Sequence, residues 1–282
     1  MLSDRVKRIV SRIFPLVPLV GLAALAGGCT GRPLRHRGRT LRAAPEPGEG
    51  WIAAGGPDAS GLSDADRETL AELWLAQASE EHASIAAFSK LSIALQAMGA
   101  PPELLRRTHR AALEEIAHAT LCYSAAQAYA GRPLSPGAMP ELLRAEEGPS
   151  LQRMAIESLE DGCLGEGISA LEADYRLSRA TDPVVRRTLA AIARDEAGHA
   201  ALAWDVLEWC LRAGGDPERR AVLRAADRLP GRFERAGSRS EAVAAHGQAA
   251  DPQAQAKVRA FRDAVRDRAR SLAGATMALS AA

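Results

Sequence analysis

The sequence predicts an all-α protein: a four-helix bundle of two helical hairpins joined by one long crossover, with extra helices at the C-terminal end. Three observations carry that expectation. Apolar residues make up 47% of the 282, mostly Ala and Leu with few β-branched runs, and that composition favours helix over strand. Aromatic residues are only 4%, which argues against an all-β sandwich. From Ser63 onward, stretches of helical period alternate with Gly/Pro punctuation.

Charge and cysteine usage exclude several function classes. Lys and Arg number 36 against 35 Asp and Glu, a net charge of +1, so no global basic field draws the chain to nucleic acid. The cysteines Cys29, Cys122, Cys163 and Cys210 are scattered and form no CxxC. A disulfide scaffold, a zinc ribbon and a thioredoxin-type or rubredoxin-type site are thereby disfavoured.

Residues 1–28 read as a signal peptide of lipoprotein type. Arg5, Lys7, Arg8 and Arg12 precede an apolar stretch, Ile13 to Ala26, that holds Pro15 and Pro18. It falls short of the roughly 20 apolar residues a spanning helix needs. The stretch ends Leu25-Ala26-Gly27-Gly28-Cys29. Small residues before a Cys resemble a bacterial lipobox, although Ala26 stands where Leu is usual. Cys29 would then be the lipidated first residue of the mature chain. That implies a lipid-anchored membrane protein of the cell envelope, facing the periplasm or exterior; a plain secreted protein is the alternative. Residues 29–62 follow as a flexible linker. Its first part, Gly31 to Arg42, carries five arginines and His36 and would touch anionic headgroups or lie solvated. Its second part is rich in Pro, Gly and Ala.

The element boundaries are written in the sequence. Ser63 or Asp64 can cap the first helix, which runs to Met98 and stops at Gly99-Ala100-Pro101-Pro102. Those prolines suit the opening of the second helix, which runs to about Ala130 before Gly131. Residues 131–150 hold Pro133, Pro136, Pro140 and Pro149 and form the long connection, with room for one short helix. A third pattern spans about Leu151–Ala180. Thr181-Asp182-Pro183 breaks it and opens the fourth, which ends at Gly214-Gly215. Residues 63–215 are thus one unit. Residues 216–282 form a helical extension, Pro217–Leu229 and Ala254–Leu272, with Val258, Phe261, Val265 and Leu272 on one face to cover the bundle.

The chemistry lies on the core stripes, read in alternating steps of three and four. The second helix gives Leu104, Thr108, Ala111, Glu115, His118, Cys122, Ala125, Tyr129. The fourth gives Val185, Leu189, Ile192, Glu196, His199, Ala203, Val206, Cys210. Each has a Glu and a His, three apart, where apolar residues belong. The first helix places Glu81 between Gln77 and Ser84 on its stripe, and the third places Glu166 between Cys163 and Ala170. At about 1.5 Å per residue, each hairpin brings its two Glu within about a turn of one height. Glu160 would sit about 9 Å further off. Glu80, Glu114, Asp195 and Glu160 fall off the stripes and read as solvated-face charges.

Four carboxylates and two imidazoles in one core are prohibitive without compensation. No cation lies on these stripes. Two divalent metal ions would neutralise four carboxylates. The chain also repeats itself: Glu81-His82-Ala83-Ser84 and Glu166-Gly167-Ile168-Ser169 share Glu-x-x-Ser, while Glu115-Ile116-Ala117-His118 and Glu196-Ala197-Gly198-His199 share Glu-x-x-His.

Glu, Glu-x-x-His, Glu, Glu-x-x-His on four successive helices resembles the ferritin-like di-iron carboxylate superfamily over about residues 65–212. Glu81-His82-Ala83-Ser84 together with Asp161-Gly162-Cys163-Leu164-Gly165-Glu166 is similar to a branch of exported bacterial ferritin-like domain proteins. The resemblance implies a ferritin-like bundle with Glu81, Glu115, His118, Glu166, Glu196 and His199 as metal ligands. It implies two divalent ions, iron first and manganese as the alternative. It implies dioxygen or peroxide as oxidant, with an unidentified reductant or substrate. Bridging would involve Glu115 with Glu166 or Glu196. Ferroxidases, peroxidases, manganese catalases and oxygenases share this fold, so it does not select the reaction. The missing CxxC disfavours a rubrerythrin-type peroxidase. Two other classes stand beside an oxidoreductase: a non-catalytic envelope lipoprotein that buffers metal, and a structural helical module with a degenerate site.

The remaining candidates have plainer expectations. His82 points about 100° from Glu81 and should be exposed; His109 and His246 should lie on the surface. Cys122 and Cys163 should fall about 12 Å apart in height, too far for a disulfide, and act as small buried hydrophobes. Tyr129 and Trp204 read as packing residues. Gly162, Gly165 and Gly167 bracket Glu166 at roughly 1 kcal/mol each. They would leave room beside the metals, permit a π distortion, or allow close helix approach.

Overall fold

The computed structural model describes residues 31–36, 39–139, 142, 148–230, 239–250 and 253–280. The signal peptide expected over 1–28 and the lipidation site at Cys29 lie outside them. Among the described residues, no helix is long and apolar enough to cross a membrane.

The structure is predominantly helical, and local chemistry explains where each helix starts. Helix α1 spans Asp64–Ala97, with the Ser63 side chain accepting from the Asp66 amide. Helix α2 spans Pro102–Ala130, opening on proline and closing at Gly131 with φ 65°. Helix α3, Leu151–Glu157, is capped by Ser150. It runs without a break through a nine-residue π-helical segment, Ser158–Glu166, into α4, Gly167–Arg179. Helix α5, Pro183–Ala213, is capped by Asp182, whose carboxylate accepts from the Val184 and Val185 amides at 2.8 and 2.9 Å. Helices α6 (Asp216–Arg228), α7 (Glu241–Val243) and α8 (Ala254–Ser280) follow. Between α7 and α8, Gly247 turns the chain at φ 83°, where a Cβ would fall 2.4 Å from Val185 Cγ1. Only glycine meets both demands.

The π segment settles two of the three roles open to the glycines. A Cβ on Gly162 would lie 2.3 Å from the Ala203 Cβ, and one on Gly167 would lie 2.4 Å from the Phe261 ring. Close approach and helical distortion therefore occur together. The extra residue in the widened turns shifts Glu166 around the helix axis relative to a regular helix.

Packing builds two apolar clusters. One holds Phe88, Leu91 and Leu95 of α1, Leu104 and Ala111 of α2, and Leu202, Ala203 and Val206 of α5. The other holds Leu70, Trp74 and Ala78 of α1, Cys122 and Tyr123 of α2, and Leu189, Ile192 and Ala193 of α5. In all three helices the gap between clusters falls at one level, and the stripe acids and histidines fill it. Helix α8 buries Val258, Phe261, Val265, Ala269 and Ala273 against α6 and the π segment. The expected covering role holds, although Leu272 is only half-buried and Ala269 and Ala273 take its place.

The segment expected to be a flexible linker is different. Strands β1 (Arg35–His36) and β2 (Arg39–Thr40) pair, and β3 (Pro45–Glu46) pairs with β4 (Ser135–Pro136) from the long connection. Arg35 reaches both Asp161 oxygens, at 2.8 Å for the shortest contact, and Arg42 pairs with Glu80 at 2.9 Å. Further along, Gln127 donates to the Trp51 carbonyl at 3.0 Å and the Ala53 amide donates to Ser124 Oγ. These specific partners hold a segment whose composition reads as tether. The short helix allowed within 131–150 is not found among the described residues.

Candidate metal centre

Six side chains meet between the apolar clusters. Glu81 comes from α1, Glu115 and His118 from α2, Glu166 from the end of the π segment, and Glu196 and His199 from α5. All are buried, none more than 4% exposed. They form two overlapping groups, Glu81–Glu115–His118–Glu196 and Glu115–Glu166–Glu196–His199, each with candidate ligand atoms within 4.8 Å of one another. Every residue that the sequence nominated as a metal ligand thus lies in one cluster that could hold metal ions. Glu115 and Glu196 belong to both groups.

Each imidazole presents Nδ1 to this cluster. His118 Nδ1 lies 3.6 Å from Glu81, 3.5 Å from Glu115 and 3.6 Å from Glu196. His199 Nδ1 lies 3.2 Å from Glu115 and 3.9 Å from Glu196. Both Nε2 atoms face outward onto acids. His118 Nε2 meets Asp195 at 3.3 Å, and His199 Nε2 meets Glu114 at 3.0 Å. The arrangement is reciprocal: the acid preceding each ligand Glu supports the histidine of the other helix. These two acids were expected as solvated charges. The structure corrects that, because neighbouring helices pack closely enough for a residue beside the stripe to reach across the contact. A signal was available: the acidic pairs Glu114-Glu115 and Asp195-Glu196 precede the two histidines identically.

The polar accounting is unbalanced within the cluster. Both carboxylate oxygens of Glu115, Glu166 and Glu196, and Nδ1 of His118 and His199, are buried without a hydrogen-bond partner. Such orphaned groups are costly. Burial and the charge of Glu196 push the Glu115 carboxyl up to about 7 and the Glu166 carboxyl well above its usual range. Burial disfavours imidazolium, yet Glu114 and Glu115 hold His199 up to about 10, and Asp195 and its neighbours hold His118 well above its ordinary value. Burial also opposes the Asp195 carboxylate, but His118 and Arg194 bring it down to about 2.

Glu81 differs from the other acids. Gln77 Nε2 donates to it at 3.1 Å, and Arg176 Nη1 donates to Gln77 Oε1 at 3.0 Å. Its carboxyl resists burial and is lowered by His118. Arg176 is 2% exposed and lies 3.7 Å from the buried Glu172, whose carboxyl burial pushes up to about 8. Arg176 lies off the stripes read from the sequence and reaches the cluster through Gln77.

Other expectations divide. His109 is exposed and meets Ser92 Oγ at 3.0 Å. His82 is half-buried rather than exposed, because Trp51 of the N-terminal segment packs edge-on against it at 5.2 Å. His246 is also half-buried, 2.9 Å from the Tyr129 hydroxyl. Cys122, Cys163 and Cys210 are buried free thiols. Glu80 is not freely solvated; burial pushes its carboxyl up to about 7 against the pull of Arg42. The chain matches no protein-family model, and neither the curated proteins nor the solved structures yield a match.

Proposed function

We propose that this protein holds two divalent ions, iron first and manganese as the alternative, in a ferritin-like helical frame, and reacts with dioxygen or peroxide. The observation that carries the reading is the set of orphaned oxygens and Nδ1 atoms, buried together and facing one another. The chemistry of the donors suits the group: carboxylate and imidazole bind iron, manganese or zinc. Glu81 and His118 would hold one ion and Glu166 and His199 the other, with Glu115 and Glu196 shared. Bound there, the ions would supply Lewis acidity and electrons for oxidant reduction.

The chain's own contribution is positional. Asp195 and Glu114 take the Nε2–H of each histidine, which leaves the Nδ1 lone pair for metal and fixes each ring. Phe88 lies 5.0 Å from the His199 ring and helps keep water from that side. We further propose a tether through lipidated Cys29, in the cell envelope.

Metal content per chain after Fe(II) or Mn(II) loading tests the reading, with Glu115→Ala/Glu196→Ala as control. About two ions per chain are expected, lost in the control. No metal in folded wild type would sink the proposal and leave a helical module. Oxidant consumption by the loaded protein then separates an oxidoreductase from a metal buffer. Acyl labelling that is lost in Cys29→Ser tests the tether.

A further inference from the structure

A cavity of about 580 Å³ lies between the N-terminal segment, α1 and α3, with Arg32, Ile85 and Met154 in its wall. Its walls are largely apolar, with Leu34, Leu41, Ile85, Ala86, Leu91 and Met154 among them, and its size suits a small organic ligand. Arg32 lines it and also lines a second cavity of about 240 Å³. That guanidinium is unusual. Arg32 is only 5% exposed, its Nε is buried without a hydrogen-bond partner, and the Phe88 ring lies 5.4 Å from Cζ. Phe88 in turn packs on His199. Other cations at the cavity are engaged: Arg35 by Asp161, and Lys90 by the Arg35 carbonyl at 3.0 Å.

A buried guanidinium at the wall of a largely apolar cavity is costly unless an anion completes it. Among the residues lining the cavity, Arg32, Arg35, Lys90 and Arg153 outnumber Glu157 and Asp161, so the wall carries net positive charge that an anion would offset, and the two acids disfavour a dianion. A planar guanidinium pairs well with a carboxylate. We propose that Arg32 and this cavity bind an amphiphilic monocarboxylate, its head on the guanidinium and its apolar tail along Ile85, Ala86 and Met154. This names a ligand class for the chain; any chemistry on that ligand rests on the proposed metal reading, and the binding itself does not.

The test is calorimetric titration of the full chain with decanoate, with metal content measured on the same samples. Saturable binding of one decanoate per chain is expected, weakened about tenfold or more by Arg32→Gln. Decanol, which lacks the charge, and acetate, which lacks the tail, should each bind at least about tenfold more weakly. Ala86→Phe, which fills the cavity without touching Arg32, should abolish binding and keep the metal. No saturable binding, or equal binding in Arg32→Gln, or equal binding of decanol or acetate, overturns the proposal. Decanoate binding without metal would instead sink the metal reading and leave this site standing.

Discussion

The two halves of the helical frame carry the same Glu/His pattern in different surroundings. In the first, α1 and α2, Glu81 stands on a regular helix, tied through Gln77 to buried Arg176. Its Glu-x-x-Ser partner, Ser84, donates to the Arg32 carbonyl at 3.0 Å. In the second, α3 to α5, Glu166 ends a π segment flanked by glycines packed against Ala203 and Phe261. Neither its oxygens nor the hydroxyl of its partner Ser169 has a hydrogen-bond partner. Ligand spacing is therefore repeated, while the support behind the ligands is not. One carboxylate is held ready by polar neighbours, and the other is held by packing alone.

The largest expected effect breaks the equivalence of the four glutamates. Glu115→Ala or Glu196→Ala should each remove both ions, because each belongs to both groups; Glu81→Ala or Glu166→Ala should leave one. Elemental analysis counts them, and equal losses from all four would contradict the shared role. Next come the outer acids. Asp195→Asn and Glu114→Gln should weaken metal binding about 10- to 100-fold. The Glu114 effect should be the smaller, since its side chain is 30% exposed against 11% for Asp195. Competition with a chelator measures both.

The packing difference gives a stability prediction. Gly167→Ala should cost about 1–3 kcal/mol in urea unfolding, and Phe261→Ala should relieve much of that cost in the double variant. A smaller effect separates Glu166 from Glu81. In metal-free protein, Glu166→Gln should raise the urea midpoint at alkaline pH by removing a buried carboxyl whose ionised form burial and Glu196 disfavour, whereas Glu81→Gln should not, because Gln77 already donates to Glu81.

Finally, metal-free stability should fall as pH rises. Glu115 is raised from 4.5 to about 7 and His199 from 6.5 to about 10. Across both windows the folded state binds more protons than the unfolded one, so raising pH favours unfolding. Melting temperatures in chelator, compared at acid and alkaline pH, should show that decline, and it should flatten in Glu115→Gln.

The sequence alone determined the helical class and the six candidate residues. Both depend on periodicity and spacing along single helices: Leu104 to Tyr129 and Val185 to Cys210 are buried at every stripe position read from the chain, because a helix converts sequence spacing directly into a shared face. Helix ends were legible at Ser63, Pro102, Asp182 and Gly131 for the same local reason. Contacts between segments far apart in sequence were not. That Asp195 supports His118, that Arg176 reaches Glu81 through Gln77, and that Arg32 lies buried beside Phe88 depend on how helices and the N-terminal segment pack. No spacing rule encodes those distances. Tertiary packing gave the described residues of an arginine-rich, proline-rich segment specific partners, and it gave two repeated glutamates different neighbours, because burial and partnering are properties of the assembled core.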